Sequence, residues 1–225
     1  METSSSSSDI IATPFTKKRQ FSEFFQQSVK KQKTEEKNEY LGGDILLIHD
    51  FVTEEEERNL LKSIREQPWL TDLKRRVQHY GYKYDYKGRN LEPLGKLPEF
   101  SREIVEKLVA KKLFKEAPDQ LIVNEYTPGQ GIAAHTDNTR IFGDTISALS
   151  LGSTVVMNFK KGEETLDILL PRRSLLLMKG EARSKWTHQI KAVKKDKITG
   201  GLLERDTRLS MTFRNTKKIY FFFCF

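Results

Sequence analysis

Residues 208–214 read Arg208-Leu209-Ser210-Met211-Thr212-Phe213-Arg214, a strict alternation of polar and apolar side chains. Successive side chains of a β-strand point to opposite faces, so the apolar residues would face a core and the polar residues would share the other face. An unpaired buried guanidinium is costly, so two arginines inside a barrel require an acid there. A dicarboxylate ligand held by a bidentate clamp would meet that requirement. The alternative is that both arginines lie on a solvated edge strand.

Seven further β-rich runs precede this one, and turn residues separate them. They span residues 121–126, 132–137, 146–151, 154–159, 166–170, 174–178 and 186–190. Eight short strands of this kind are typical of a two-sheet jelly roll. The sequence therefore predicts an α+β domain that is mainly β and is built around such a barrel.

Two helices are predicted before these strands. The first follows a short strand at 44–49; Thr53 would cap it, and four glutamates would lie at the positive end of its dipole. Pro68 would end this helix. The second is predicted from about Ser101 to Glu116, where apolar residues recur at the spacing of one buried face. Both helices would pack on an outer face of a sheet.

The composition indicates one domain with two tails. The chain has 225 residues, which fits a single domain plus a tail. Residues 1–40 contain a serine run and many lysines and glutamines, so we predict that they are disordered. The folded domain is predicted at 41–217. The aromatic residues 218–225 would add an edge strand or form a disordered terminus.

The charge of the chain favours polyanionic partners. The formal net charge is +8, and phosphates neutralised by Lys or Arg release bound counterions. The single cysteine, Cys224, cannot build a disulfide framework. No apolar run reaches the length of about 20 residues that a membrane-spanning helix needs. We expect a soluble, intracellular monomer that does not bind membranes.

The segment His135-Thr136-Asp137 has the spacing of a metal site, because residues two apart on a strand share a face. A third ligand must come from elsewhere, and His188 in a separate predicted strand qualifies. Two histidines and one carboxylate form the facial arrangement that binds non-haem Fe(II). A histidine beside an aspartate also occurs by chance in many proteins. The order of this pair, His188 and the two arginines favours the iron site.

These residues belong to an ordered series that resembles the AlkB-like dioxygenases over roughly residues 44–217. The resemblance implies a double-stranded β-helix with His135, Asp137 and His188 as iron ligands and no catalytic side chain beyond the metal centre. It also implies 2-oxoglutarate and O2 as co-substrates. The implied 2-oxoglutarate contacts are Asn124, Tyr126, Arg208, Ser210 and Arg214. The matching segments are 124–126, 128–132, 135–137, 149–153, 170–175, 180–183, 186–188 and 208–214.

The family also has a nucleotide-recognition lid before the barrel, and residues 75–86 resemble it. Aromatic rings interleaved with cations can stack an extruded base and hold the flanking phosphates. Without the resemblance, this tyrosine-rich segment would be interpreted as an ordinary hairpin. The residues predicted to bind substrate are Arg75, Arg76, Tyr80, Tyr82, Lys83, Tyr84 and Arg183.

The resemblance implies oxidative removal of alkyl groups from N-alkylated bases, most simply in DNA repair. The alternatives are a tRNA or mRNA demethylase or hydroxylase, a non-catalytic nucleic-acid-binding module, and a protein-directed oxygenase. Three positions depart from the bacterial DNA-repair members. Thr139 stands where they have an acidic residue, Ser210 where they have Asn, and Gln189 where Gly is usual. The first of these puts their substrate preference in doubt.

The N-terminal tail contains two candidate targeting motifs. Lys17-Lys18-Arg19 and Lys30-Lys31-Gln32-Lys33 have the two-cluster form of a nuclear import signal, which predicts the nucleus, with the cytoplasm also open. Between them, Phe21, Phe24 and Phe25 resemble the hydrophobic part of a PCNA-interacting peptide. The usual leading glutamine would fall at Lys18, so the match is degenerate. A PCNA-type sliding clamp would favour DNA repair; the alternative is a plain solvated tail.

Overall fold

The computed structural model describes residues 36–71, 73–84 and 91–217. The predicted import signal, the phenylalanine motif and the aromatic C-terminal tail lie outside these ranges. The described helices are α1 (Glu54–Arg65), α2 (Arg102–Ala110) and α3 (Gly180–Ser184). None of them is long and apolar enough to cross a membrane.

The described chain contains fifteen strands. The first nine are β1 (Lys37–Tyr40), β2 (Ile45–Ile48), β3 (Val77–Tyr80), β4 (Tyr82–Tyr84), β5 (Leu91–Pro93), β6 (Gln120–Tyr126), β7 (Ile132–His135), β8 (Phe142–Leu151) and β9 (Val155–Lys161). The remaining six are β10 (Glu164–Leu170), β11 (Leu175–Met178), β12 (Thr187–Ile190), β13 (Lys195–Ile198), β14 (Gly201–Glu204) and β15 (Arg208–Thr216).

Two antiparallel sheets form the barrel. The larger has seven strands in the order β1-β2-β11-β8-β15-β6-β3, and the smaller has four in the order β10-β9-β12-β7. Two hairpins, β4-β5 and β13-β14, stand apart from these sheets. This arrangement confirms the predicted α+β jelly roll. The crossed strand order brings residues distant in sequence onto neighbouring strands.

Strand β15 shows why the large sheet has two different faces. Leu209, Met211 and Phe213 are buried in an apolar cluster with residues of α1 and α2. Arg208 and Arg214, in contrast, line a cavity on the opposite side of the sheet. A second apolar cluster lies on this opposite side and joins the two sheets. The predicted alternation therefore separates a helix-covered core from a polar interior.

Helix α1 begins where the sequence predicts it. Thr53 Oγ1 accepts a hydrogen bond from the Glu56 backbone N–H, and Glu56 Oε2 accepts one from the Thr53 N–H. This reciprocal pair is a capping box. One turn into the helix, fully buried Glu57 accepts hydrogen bonds from the Gly152 N–H and from Arg172. The helix is thereby fixed to the turn between β8 and β9.

The boundaries of several elements differ from the prediction. The folded domain begins before residue 41, since β1 pairs with β2 as an edge strand that lacks the apolar run used to place strands. Helix α2 ends at Ala110 rather than near Glu116, because Lys112 adopts a positive φ of 55° that an α-helix cannot continue through. The β13-β14 hairpin was not predicted, since it shows no regular apolar alternation. Strand β4 lies in the tyrosine-rich segment that we interpreted as a lid rather than as an ordinary hairpin, and it pairs with β5.

Gly131 allows the smaller sheet to close. A Cβ atom at this position would lie 2.2 Å from the Ile190 carbonyl oxygen and 2.9 Å from the Ala192 nitrogen. Such distances are far shorter than van der Waals contact, and both neighbours are backbone atoms that cannot rotate away. Gly131 therefore lets the start of β7 approach the end of β12.

We predict that Gly131→Ala destabilises the domain by about 1–3 kcal/mol, because the added methyl group overpacks the junction of β7 and β12. Urea unfolding followed by circular dichroism would measure the loss. Gly143→Ala is the matched control, since a Cβ there would lie 3.4 Å from its nearest neighbour, the Asn215 Cβ. Equal stabilities of the two variants would contradict the account of Gly131.

Candidate active site

Three side chains converge at the open end of the smaller sheet. His135 ends β7 and lies opposite His188 of β12 in the strand register, while Asp137 follows β7 by two residues. The two imidazole rings have centroids 4.4 Å apart. One ligand atom from each of the three residues lies within 4.8 Å of the others. A single metal ion can therefore bind all three.

Hydrogen bonds around the triad orient its members. His135 Nδ1 lies 2.8 Å from the Ala133 carbonyl oxygen, which can only accept, so this nitrogen carries the proton. The other ring nitrogen, Nε2, keeps its lone pair for a metal. Thr136 Oγ1 donates to the Trp186 carbonyl at 2.9 Å and so ties the segment to the residue before β12.

The Asp137 carboxylate is held ionised by its surroundings. Burial alone would raise its pKa, but the positive charges of Arg214, His188, His135 and Arg183 outweigh this effect and lower the pKa to about 2. Arg214 Nη2 lies 2.6 Å from Oδ1, and His188 Nε2 lies 3.6 Å from Oδ2. Asp137 is thus a carboxylate at every physiological pH, as a metal ligand must be.

His188 is buried, and this burial lowers the pKa of its imidazole to about 4 despite the opposing charge of Asp137. The ring is therefore neutral at pH 7 and has a lone pair to offer. Two histidines and one carboxylate clustered in this way match the donor set of non-haem Fe(II) sites. On its donor chemistry, the triad fits ferrous iron.

Arg208 lies inside the barrel with part of its hydrogen-bonding capacity unused. Its Nη2 donates to Ser150 Oγ at 2.8 Å and, at 3.4 Å, to Ser210 Oγ. Its Nε and Nη1 are buried and have no hydrogen-bond partner among the described residues. Burial lowers the pKa of this guanidinium to about 10, so it stays charged at neutral pH. A buried cation with two unused donors fits the carboxylate of an acidic ligand.

One cavity of about 600 Å³ joins the triad to this guanidinium. Its lining includes the three candidate metal ligands and all five residues predicted to contact 2-oxoglutarate, namely Asn124, Tyr126, Arg208, Ser210 and Arg214. Apolar side chains from both sheets complete the wall. The cavity thus has a metal-binding donor set and a cationic acid-binding group in one enclosure. The individual 2-oxoglutarate contacts stay a prediction.

Two residues of the predicted lid, Arg75 and Tyr84, also line this cavity. Arg75 Nε donates to Asn124 Oδ1 at 2.8 Å, and its guanidinium lies 5.7 Å from the centre of the Tyr126 ring. The Tyr84 hydroxyl accepts a hydrogen bond from Asn138, and its ring meets the edge of Phe142. Both side chains are placed to touch a ligand that enters the cavity.

The other predicted lid residues are not brought into the cavity lining. Arg76 forms a two-point ion pair with Glu125 and lies over the Trp69 ring. Tyr80 packs edge-on against Phe100, and burial raises the pKa of its hydroxyl to about 12.

Tyr82 and Lys83 are half-exposed in β4. Residues 85 and 86 of the predicted lid lie outside the described residues. The alternation along β4 explains why Lys83 does not share the face of Tyr84, since neighbouring side chains of a strand point to opposite faces.

Arg183, which was predicted to bind substrate, contacts the backbone beside the metal triad, and its role toward substrate stays a prediction. The side chain is buried, and its Nη1 donates to the Asp137 backbone carbonyl at 2.8 Å. Nη2 lies 3.4 Å from the Asn138 carbonyl. Arg183 therefore holds the backbone that carries a ligand, which the sequence alone did not reveal because α3 and this segment are far apart in the chain.

Sequence reasoning missed two residues that shape the arginine pocket. Ser150 is fully buried in β8 and accepts the hydrogen bond from Arg208. Phe142 lies under Arg214, with its ring centroid 4.8 Å from the guanidinium carbon. Ser150 could have been singled out because it lies within the matching segment 149–153. No local signal distinguishes Phe142 from an ordinary core residue.

Comparison with known proteins agrees with this geometry. The sequence profile of the 2OG-Fe(II) oxygenase superfamily matches residues 44–214. The chain is 40% identical over 177 residues to uncharacterized protein L905 of Acanthamoeba polyphaga mimivirus, covering 76% of this chain and 84% of that protein. It is 39% identical over 209 residues to the tRNA (carboxymethyluridine(34)-5-O)-methyltransferase ALKBH8 of Mus musculus. That match covers 80% of this chain but only 32% of the mouse protein.

Among solved structures, that of OsALKBH1 superposes with a TM-score of 0.61 at 17% identity, covering 80% of this chain and all of the other. At this level of identity the superposition concerns the fold alone. The superfamily match spans the metal triad and both arginines of β15. The chain therefore belongs to the 2OG-Fe(II) oxygenase superfamily, as an AlkB-like 2-oxoglutarate-dependent dioxygenase.

Proposed function

We propose that the protein removes alkyl groups from N-alkylated bases of nucleic acid. The observation that carries this proposal is the shared cavity, which is lined by the metal triad, by the partly unpaired Arg208 and by the lid residues Arg75 and Tyr84. Iron and acid binding belong to the whole superfamily. The cation and the tyrosine at the cavity suit a planar base next to phosphates.

Different side chains would have different roles in such a reaction. His135, Asp137 and His188 would hold Fe(II), and Arg208 would bind the distal carboxylate of 2-oxoglutarate. When bound, iron, 2-oxoglutarate and O2 would supply an oxidation that hydroxylates an N-alkyl carbon, with succinate and CO2 as co-products. The C–N bond to the hydroxylated carbon would then break, which releases an aldehyde and leaves the base nitrogen with a proton. Arg214 keeps Asp137 ionised, and Arg183 fixes its backbone.

The cavity wall excludes water from the reacting groups. The apolar surface of this wall comes from Ile122, Ile132, Ile146, Met157 and Ile190. In such an enclosure a base loses its solvation shell and is oriented by a few polar contacts. Arg75 and Tyr84 would supply these contacts on the lid side.

Two nucleic acids are candidates for the substrate. DNA is our first candidate, supported by the phenylalanine motif of the tail, which resembles a sliding-clamp peptide. The basic clusters beside this motif support nuclear import. RNA is the second candidate, supported by similarity to the mouse protein whose name describes a tRNA-modifying enzyme. The chain spans about a third of that protein's length, so its activity does not transfer as a whole.

We predict that His135→Ala weakens binding of Co(II), a stand-in for Fe(II), by more than about 100-fold. Loss of a direct ligand should exceed the 10- to 100-fold cost of disturbing a residue that only orients a ligand. Calorimetric titration would measure the affinity. His49→Ala is the control, because its described side-chain contact is with Asn38. Unchanged Co(II) affinity in His135→Ala would refute the assignment of the triad.

We predict that Arg208→Met raises the KM for 2-oxoglutarate by about 10- to 100-fold. The lost charge-assisted hydrogen bonds are worth about 1.5–3 kcal/mol. Without 2-oxoglutarate, the variant should melt at the same temperature or higher, because it removes an incompletely paired buried cation. Succinate release and thermal melting would measure the two effects. Arg102→Met, an exposed residue paired with Glu99, serves as control.

The test of the proposed function uses DNA and RNA oligonucleotides that carry N-methylated bases, incubated with protein, Fe(II) and 2-oxoglutarate. We expect mass spectrometry to show loss of one methylene unit per modified base, with stoichiometric succinate. Activity on methylated RNA without activity on DNA would select the second candidate. Succinate formation without any change in either nucleic acid would overturn the proposal, while the enzyme class would stand.

A further inference from the structure

We infer that four lysines beside the cavity bind the backbone phosphates that flank the target base, an inference that rests on the proposed function. This lysine strip consists of Lys74, Lys191, Lys194 and Lys197. Lys191 directly follows Ile190, and Lys74 directly precedes Arg75; both of these neighbours line the cavity. The strip therefore starts at the cavity and continues onto the β13-β14 hairpin.

The strip has a positive charge that its surroundings leave uncompensated. All four lysines are exposed, and none has an ion-pair partner among the described residues. Two acids of the hairpin are already paired, since Asp196 binds Arg205 and Glu204 binds Lys195. Asp206, which follows the hairpin, accepts the backbone N–H of Thr207. Uncompensated cations on one surface attract polyanions and release counterions when they bind phosphates.

A buried ion pair fixes the hairpin, which carries Lys197 and directly follows Lys194. Arg205 contacts both carboxylate oxygens of Asp196 at 2.6 and 2.7 Å, and each side chain is only 5% exposed. Asp196 Oδ2 also accepts the Val156 N–H at 3.1 Å, which ties the hairpin to β9. Arg205 Nη1 donates to the Lys191 carbonyl at 2.6 Å. Because this ion pair already holds the hairpin in place, phosphate binding would carry a smaller entropic cost of ordering the hairpin.

The loop between β6 and β7 connects the hairpin to the lid. The Gly129 N–H donates to the Val193 carbonyl at 3.1 Å on the hairpin side. On the lid side, the side-chain Nε2 of Gln130 donates to the Lys74 carbonyl at 2.8 Å. Arg205 Nη1 donates to the Gln130 carbonyl at 3.3 Å. These bonds place Lys74 and the hairpin lysines on two sides of one short loop beside the cavity. A strand that inserts a base into the cavity would pass this surface with its neighbouring phosphates.

The experiment compares wild-type protein with the triple variant Lys191→Glu, Lys194→Glu and Lys197→Glu. The control variant, Arg58→Glu, Lys62→Glu and Lys115→Glu, changes the net charge equally. Its residues are exposed on α1 and beyond α2, on the helix-covered side of the large sheet. Fluorescence anisotropy would measure binding of an unmodified oligonucleotide of about 15 nucleotides, a length that spans a typical single-strand site. This readout does not depend on turnover.

We expect the triple variant to bind this oligonucleotide about 10- to 100-fold more weakly than wild type near 0.1 M salt. Its slope of log affinity against log salt should fall by about 2–3, because each lost phosphate contact removes roughly one unit. Its Co(II) affinity should match wild type, because none of the three lysines belongs to the metal triad. The control variant should keep the wild-type affinity and slope.

Equal affinities and salt slopes for the triple and control variants would overturn the inference. Equal losses in both would do so as well, because the effect would then come from net charge. If wild-type protein dealkylates no oligonucleotide, the proposed function fails, yet the binding comparison still decides whether the strip holds phosphates. The two conclusions are therefore tested separately.

Discussion

Two guanidinium groups lie inside this barrel, and the balance of their charge governs the interior. Arg214 is neutralised by Asp137 at 2.6 Å, which also keeps that carboxylate ionised for a metal. Arg208 hydrogen-bonds only to serine hydroxyls among the described residues and lies 5.6 Å from the centre of the Tyr126 ring, and two of its nitrogens lack a hydrogen-bond partner there. A buried cation of this kind destabilises the folded protein until an acidic ligand pairs with it. The buried cation thus lowers the stability of the ligand-free protein and raises its affinity for a small dicarboxylate. The co-substrate of the family, 2-oxoglutarate, is such a dicarboxylate.

The two-faced sheet makes this arrangement possible. Strand β15 presents Leu209, Met211 and Phe213 to the helices, so the apolar face is secured independently of the polar one. The rest of the site is assembled across strands: His135 meets His188 through the register of β7 and β12, and Ser150 meets Arg208 through β8. Metal ligands and acid-binding groups therefore belong to opposite sheets that share one cavity. A shift of either sheet would separate them.

Positive charge lies on the surface around the cavity as well as inside it, and the outer charge would attract a polyanion. Arg75 and Tyr84 line the cavity from the lid, while the lysine strip continues outward along an anchored hairpin. Residues lining the cavity would bind the base, and the lysine strip outside the cavity would bind the phosphates. The Asp196–Arg205 pair is important here because it is internally neutral and leaves the positive charge of the strip undiminished. Recognition of the base and of the backbone would thus rest on separate elements joined by the loop between β6 and β7.

Much of this site follows from the sequence, because strand alternation and ligand spacing are local properties. The eight β-rich runs predicted the fold class, and the order of His135, Asp137, His188 and the two arginines predicted the metal triad and the acid-binding pocket. Helix α1 was predicted from its cap for the same reason, since a capping box involves residues three apart. Only the tertiary structure decided which lid residues face the cavity, that Arg183 supports Asp137, and that a lysine-rich hairpin stands beside the entrance. These features depend on strand register and on contacts between distant segments, and no single stretch of sequence specifies them.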